Sequence, residues 1–219
     1  MREPERNARL SVRRDVTVPA GPAGLLTFDR SEAFVPQLGG RGAYRLVVLL
    51  HGAGGSARQG LGLLLPYAER HNLLLVAPQS AAATWDLISA GYGPDVRRLE
   101  NVLAEVLAGY PVDRMCIGGF SDGASYALSL GLTNGDVFDA VVAFSPGFAA
   151  PLITHGSPRL FVSHGDADRV LPIDRCSRRL VPRLRKLGYE VTYDEFRGGH
   201  EVPDDVAGRA VDWLDEDRP

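Results

Sequence analysis

The sequence predicts a doubly wound α/β sheet, and two observations carry that prediction. Short apolar runs at Leu46–Leu50, Leu73–Val76, Met115–Ile117 and Ala140–Phe144 are continuous rather than alternating, as expected of parallel strands covered on both faces. Between them lie segments with apolar residues at three- and four-residue spacing. Strand thus alternates with helix along the chain, and crossovers of that kind build a mostly parallel sheet with a helical layer on each side.

The elements follow in order. Val16–Val18 and Leu25–Phe28 are short β-prone runs separated by the Pro/Gly-rich segment Pro19–Gly24, which reads as an N-terminal antiparallel hairpin. Strand Leu46–Leu50 is followed by a helix at Ala57–Arg70, strand Leu73–Val76 by a helix at Pro94–Leu107. In the latter Val96, Leu99, Val102, Leu103, Val106 and Leu107 form one apolar stripe. Strand Met115–Ile117, helix Ser121–Leu132 and strand Ala140–Phe144 come next. Beyond Pro158 the alternation repeats as strand Leu160–Ser163, helix Ile173–Leu187, strand Glu190–Phe196 and helix Asp204–Leu214. A chain of 219 residues, 45% hydrophobic, closes a single core without splitting. One domain is expected over residues 1–219, with the charged residues 1–14 as a flexible tail. Most of the stretch from Gln79 to Val112 is taken by a helix and Ser145–Ile153 is short, so no cap domain is expected.

A net charge of −3 offers no basic field for nucleic acid or anionic lipid, so neither partner is expected. Met1–Arg14 lacks the apolar stretch of a signal peptide, and no apolar run is long enough to span a bilayer. The expectation is a soluble, cytoplasmic chain. Cys116 and Cys176 are too few for a disulfide framework, and no Cys/His cluster has zinc-ligand spacing. Both thiols are expected to be buried and inert.

Two glycine motifs compete for attention. Gly52-Ala53-Gly54-Gly55-Ser56-Ala57 formally matches a dinucleotide-binding fingerprint. That use requires an acidic residue about twenty positions on, at the end of the next strand; here the strand ends Val76-Ala77-Pro78-Gln79, and the reading is rejected. The second motif, Gly119-Phe120-Ser121-Asp122-Gly123, stands between the strand at Met115–Ile117 and the helix that follows. Strand, sharp turn and helix are the setting of a nucleophile elbow. Its glycines allow the strained turn that exposes the serine, where a Cβ on either side would crowd neighbouring elements.

A serine hydroxyl needs a histidine to take its proton and a carboxylate to orient that histidine. Behind such an elbow the order is serine, acid, histidine. His155, His164 and His200 follow Ser121. His200 lies in the loop Arg197-Gly198-Gly199-His200 after the last strand, whereas the acidic neighbours of His164 come after it, so His200 is the candidate base. The acid is Asp166 or Asp168, both in the loop after strand Leu160–Ser163, and spacing does not choose between them.

The motifs Leu50-His51-Gly52-Ala53-Gly54-Gly55, Gly119-Phe120-Ser121-Asp122-Gly123, Ser163-His164-Gly165-Asp166-Ala167-Asp168-Arg169-Val170-Leu171-Pro172 and Gly199-His200 resemble, in this order, those of the phospholipase/carboxylesterase family of α/β-hydrolases. The resemblance runs from about Leu46 to Leu214. It implies an α/β-hydrolase fold, Asp168 as the acid, and hydrolysis of an ester or thioester through an acyl-enzyme, with no metal or cofactor. It further implies an oxyanion hole made by the backbone N–H groups of Asp122 and Ala53, and a bracing rather than titrating role for His51. Asp122 departs from the family, where a neutral side chain is common, and puts a carboxylate near that hole.

The expected substrate is a small ester with a short to medium acyl chain, held in a shallow pocket lined by Trp85, Leu87, Phe148 and Val170. An acyl-protein thioesterase or lysophospholipase-like hydrolase is the alternative within the family. A non-catalytic binding protein on the same fold is the alternative outside it.

Overall fold

The computed structural model describes residues 8–37, 42–89 and 91–216. Among the described residues eight strands form one sheet: β1 (Gly24–Phe28), β2 (Ser31–Val35), β3 (Tyr44–Leu50), β4 (Leu73–Ala77), β5 (Val112–Phe120), β6 (Ala140–Phe144), β7 (Arg159–Gly165) and β8 (Val191–Phe196). Their spatial order is β1-β2-β4-β3-β5-β6-β7-β8. The β1–β2 and β2–β4 pairs are antiparallel and all later pairs are parallel. The helices are α1 (Ala57–Gly62), α2 (Leu65–Ala68), α3 (Asp86–Ser89), α4 (Pro94–Gly109), α5 (Asp122–Thr133), α6 (Ser177–Lys186) and α7 (Asp204–Asp215).

The period-two geometry of a strand sorts β3 between two cores. Leu46, Val48 and Leu50 face a cluster with Val96 and Leu103 of α4, Tyr126 and Leu130 of α5, and Val181 and Leu184 of α6. Val47 and Leu49 face the opposite cluster with Leu61 of α1, Ala68 of α2, and Val206 and Trp213 of α7. Both faces of the strand are therefore apolar, and its sequence runs without polar alternation. The strand order turns back between β3 and β5, because β4 lies on one side of β3 and β5 on the other. At such a switch point the loops leaving the two carboxyl ends diverge and open a crevice. Here those loops carry Gly52–Gly55 and Ser121.

Four sequence expectations change in detail. The N-terminal hairpin joins β1 to β2 rather than Val16–Val18 to Leu25–Phe28. Phe28 pairs with Ser31, so Asp29-Arg30 is the turn, with Asp29 at φ 53°, a left-handed position aspartate tolerates. The Pro19–Gly24 segment is instead held against the end of α4 by Gly21 N–H to Gly109 O (2.9 Å) and Tyr110 O–H to Pro22 O (2.9 Å). Secondly, the helix expected over Ala57–Arg70 divides into α1 and α2. Pro66 lacks the N–H that a continuous helix would send to the Gly62 carbonyl, and its ring clashes there. Thirdly, α6 begins at Ser177 rather than Ile173, since Cys176 has φ −109° and ψ −103°, outside the helical region.

The fourth change concerns the tail. Residues 1–7 lie outside the described residues, but Ala8 and Leu10 are buried. The buried Asn134 receives Leu10 N–H on Oδ1 (2.9 Å) and donates through Nδ2 to Ala8 O (2.8 Å). Arg9 pairs with Asp136 (2.6 Å) and donates to Thr133 O (2.7 Å). Both cysteines are buried and free, and burial pushes the Cys116 thiol up to about 12. Among the described residues no helix is long and apolar enough to cross a membrane.

Candidate active site

Ser121 sits between β5 and α5 with φ 57° and ψ −119°, a conformation that costs a non-glycine residue about 1–3 kcal/mol. The surroundings enforce it. Ser121 N–H donates to Phe144 O at the end of β6 (2.9 Å). A Cβ on Gly119 would lie 2.5 Å from Leu50 O, and one on Gly123 2.2 Å from the same oxygen. Only glycine lets β5 and the first turn of α5 press this closely on β3. The tight turn lifts Ser121 Oγ to the carboxyl edge of the sheet, at the positive end of α5.

The loops after β7 and β8 meet it there. His200 Nε2 lies 2.8 Å from Ser121 Oγ, and His200 Nδ1 lies 2.6 Å from Asp168 Oδ2. The imidazole ring also packs on Phe120, with centroids 4.6 Å apart. Asp168 is buried, and its second oxygen accepts Val170 N–H and Leu171 N–H, each at 2.8 Å. Burial works against the Asp168 charge, but the His200 bond and these amides outweigh it and hold the carboxyl below its usual range. Asp166, the other candidate acid, is exposed, and its carboxylate accepts Gly198 N–H (3.3 Å). Of the two aspartates that spacing left equivalent, Asp168 is the one within bonding distance of His200.

His164 enters this arrangement from below. Its ring is wholly buried, with Nδ1 2.7 Å from Ser177 Oγ, Nε2 2.8 Å from Leu171 O and 3.2 Å from Asp168 Oδ2. Burial lowers its pKa, so the neutral ring carries its proton on Nε2, facing Leu171 O and Asp168. It supports the aspartate loop, a role that its position in the chain, read only against the serine–acid–histidine order, did not suggest.

The loop after β3 supplies the opposite wall. Gly52 O accepts Gly55 N–H (3.0 Å) and His51 Nδ1–H (2.7 Å). A trans peptide points its N–H away from its carbonyl, so Ala53 N–H faces outward. Neither Ala53 N–H nor Asp122 N–H is engaged by another described group. Burial lowers the pKa of His51, whose Nε2 accepts Ser80 N–H at 3.3 Å. The ring thus bonds both its own loop and the segment after β4.

The four expected pocket residues separate. Phe148 and Val170 are exposed at 37% and 66%, on the loops after β6 and β7. Leu87 is half-buried against the core. Trp85 corrects the expectation: it is 1% exposed, stacks on Tyr126 with centroids 5.3 Å apart and donates from Nε1 to His51 O (2.8 Å). It supplies core area beneath the loop rather than a wall open to substrate. The Asp122 carboxylate likewise does not project free into the crevice, because Oδ2 accepts the Thr84 hydroxyl at 2.6 Å.

A mostly parallel sheet with serine, aspartate and histidine delivered in that order to its carboxyl edge defines the α/β-hydrolase architecture. The chain belongs to the phospholipase/carboxylesterase family, whose model matches residues 94–215. It is 32% identical over 128 residues to acyl-protein thioesterase 1 of Neurospora crassa, covering 52% of this chain and 51% of that one. It is 28% identical over 135 residues to acyl-protein thioesterase 1 of Yarrowia lipolytica. The chain thus spans 51% and 58% of the length of these curated relatives. Among solved structures it is similar to esterase PE8, with a TM-score of 0.65 and 26% identity over 89% of this chain and 99% of that one. It shares the fold of acyl-protein thioesterase 2 of Zea mays, with a TM-score of 0.62 and 19% identity over 85% of this chain and 98% of that one.

Proposed function

We propose that the chain is a serine carboxylesterase that hydrolyses short- to medium-acyl esters through an acyl-enzyme. The observation that carries this reading is the single imidazole of His200 bridging Ser121 Oγ (2.8 Å) and Asp168 Oδ2 (2.6 Å). In this reading Ser121 Oγ attacks the acyl carbon while its proton passes to His200 Nε2. Asp168 holds the Nδ1–H tautomer and stabilises the imidazolium. The carbonyl oxygen becomes an oxyanion, met by Ala53 N–H and Asp122 N–H. Collapse breaks the bond to the alcohol, which leaves with the proton from Nε2. Water then attacks the acyl-serine by the same route and releases the acid. These steps draw on the chain's own groups alone.

The names of the Neurospora and Yarrowia relatives favour a second reading, in which the scissile bond is a thioester. The same residues serve it, and the leaving group is then a thiol. The test is rapid mixing with p-nitrophenyl butyrate. A burst of nitrophenolate equal to the enzyme concentration, absent in Ser121→Ala, is the expected result. Steady turnover surviving in Ser121→Ala would overturn the reading. Matched oxygen and thiol esters of one acyl group then separate carboxylesterase from thioesterase.

A further inference from the structure

The connection between β4 and α4 crosses the carboxyl edge beside Ala53 and Asp122, and three consecutive residues of it hold three different parts of the site. Ala83 O accepts Gly54 N–H at 2.6 Å, fixing the peptide next to that of Ala53. Thr84 Oγ1 donates to Asp122 Oδ2 at 2.6 Å. Trp85 Nε1 donates to His51 O at 2.8 Å. The connection is itself clamped by two buried carboxylates that exchange bonds. Asp86 Oδ2 accepts Gly93 N–H (2.9 Å) and Asp95 N–H (2.8 Å), while Asp95 accepts Asp86 N–H (2.9 Å) and Ala81 N–H (2.7 Å). Tyr126 O–H ties Asp86 to α5 at 2.7 Å, the helix that Asp122 begins.

Asp122 gives the strap a chemical purpose. Covalent geometry keeps a residue's carboxylate within about 5 Å of its own amide nitrogen. A free carboxylate there opposes the negative oxygen that the amide is meant to stabilise, because like charges repel strongly where water is excluded. In this chain the Thr84 hydroxyl takes that carboxylate and fixes its rotamer.

We propose that Thr84 is a positioning residue: by bonding Asp122 Oδ2 it holds the carboxylate off the oxyanion hole. The inference rests on the serine-esterase reading above and goes beyond it. A neutral side chain after the nucleophile would not need this hydroxyl; an aspartate does.

The test is a set of variants assayed with p-nitrophenyl butyrate, after the Ser121-dependent burst has been recorded. Thr84→Val keeps the shape and removes the hydroxyl. Its kcat is expected to fall about 100-fold, at the lower end of what losing one oxyanion donor costs, with KM little changed. Thr84→Ser, which keeps the hydroxyl, is expected to retain most of kcat. In Thr84→Val/Asp122→Asn the charge is gone, and most of the lost kcat is expected to return. A purely structural role for Thr84 predicts no such return, since the double variant also lacks the bond. An unchanged kcat in Thr84→Val, or a double variant no faster than Thr84→Val, overturns the proposal while the burst leaves the esterase reading standing. Loss of Ser121 dependence overturns both.

Discussion

A serine at φ 57° is a local cost that the chain sustains only because the flanking glycines admit the backbone of β3. The same economy of position governs the acid. Asp168 and Asp166 are two residues apart, yet one is buried against His200 and His164 and the other touches a loop amide. Asp168→Asn is therefore expected to lower kcat about ten-thousand-fold by favouring the wrong imidazole tautomer, with Asp166→Asn close to the parent. Steady-state kinetics of both variants check this, and a large loss at Asp166 with little at Asp168 would reverse the assignment. At this scale the sequence was most informative where chemistry constrains residue type. The elbow and the loop histidine could be found from order alone, but choosing between the aspartates needed either the family resemblance or coordinates. His164, Thr84, Asp86 and Asp95 act through tertiary hydrogen bonds to residues 4 to 40 positions away, which leave no periodic signal.

Elements were legible where they are long and one-sided or short and wholly apolar. α4 spans Pro94–Gly109 with the expected stripe buried, and the central strands coincide with the continuous apolar runs. The hairpin was misplaced because its turn, Asp29-Arg30, carries no glycine or proline, while the richer Pro19–Gly24 segment does a different job against α4. β2 was missed for the related reason that Ser31–Val35 alternates buried and half-buried residues with charge among them. The N-terminal segment shows what a polar sequence hides. Ala8 and Leu10 dock on Asn134, whose side chain makes two bonds to their backbone. Asn134→Ala leaves a buried donor and acceptor unpaired and is expected to cost about 1–3 kcal/mol. Urea unfolding of the variant measures it, and an unchanged midpoint would mean that the segment contributes nothing to stability.

For the whole molecule, topology determines what the site can accept. The switch point between β3 and β5 sets the crevice, and the connections over it are short or already used. The segment between β4 and α4 is clamped by the Asp86–Asp95 exchange with Trp85 beneath it, and Phe148 and Val170 are exposed. An acyl chain gains about 0.8 kcal/mol for each methylene it buries. We expect kcat/KM for p-nitrophenyl esters to rise from acetate, level off at medium length and then stop rising. A maximum at palmitate, measured below the micellar concentration, would require an extended acyl channel and contradict this expectation. The proposed esterase mechanism requires one covalent event at the Ser121 side chain. Its most direct measurement is peptide mapping by mass spectrometry after treatment with a fluorophosphonate. The account predicts a single phosphonyl adduct on Ser121, lost in Ser121→Ala and strongly slowed in His200→Ala; an unmodified Ser121, or an adduct on another residue, would contradict it.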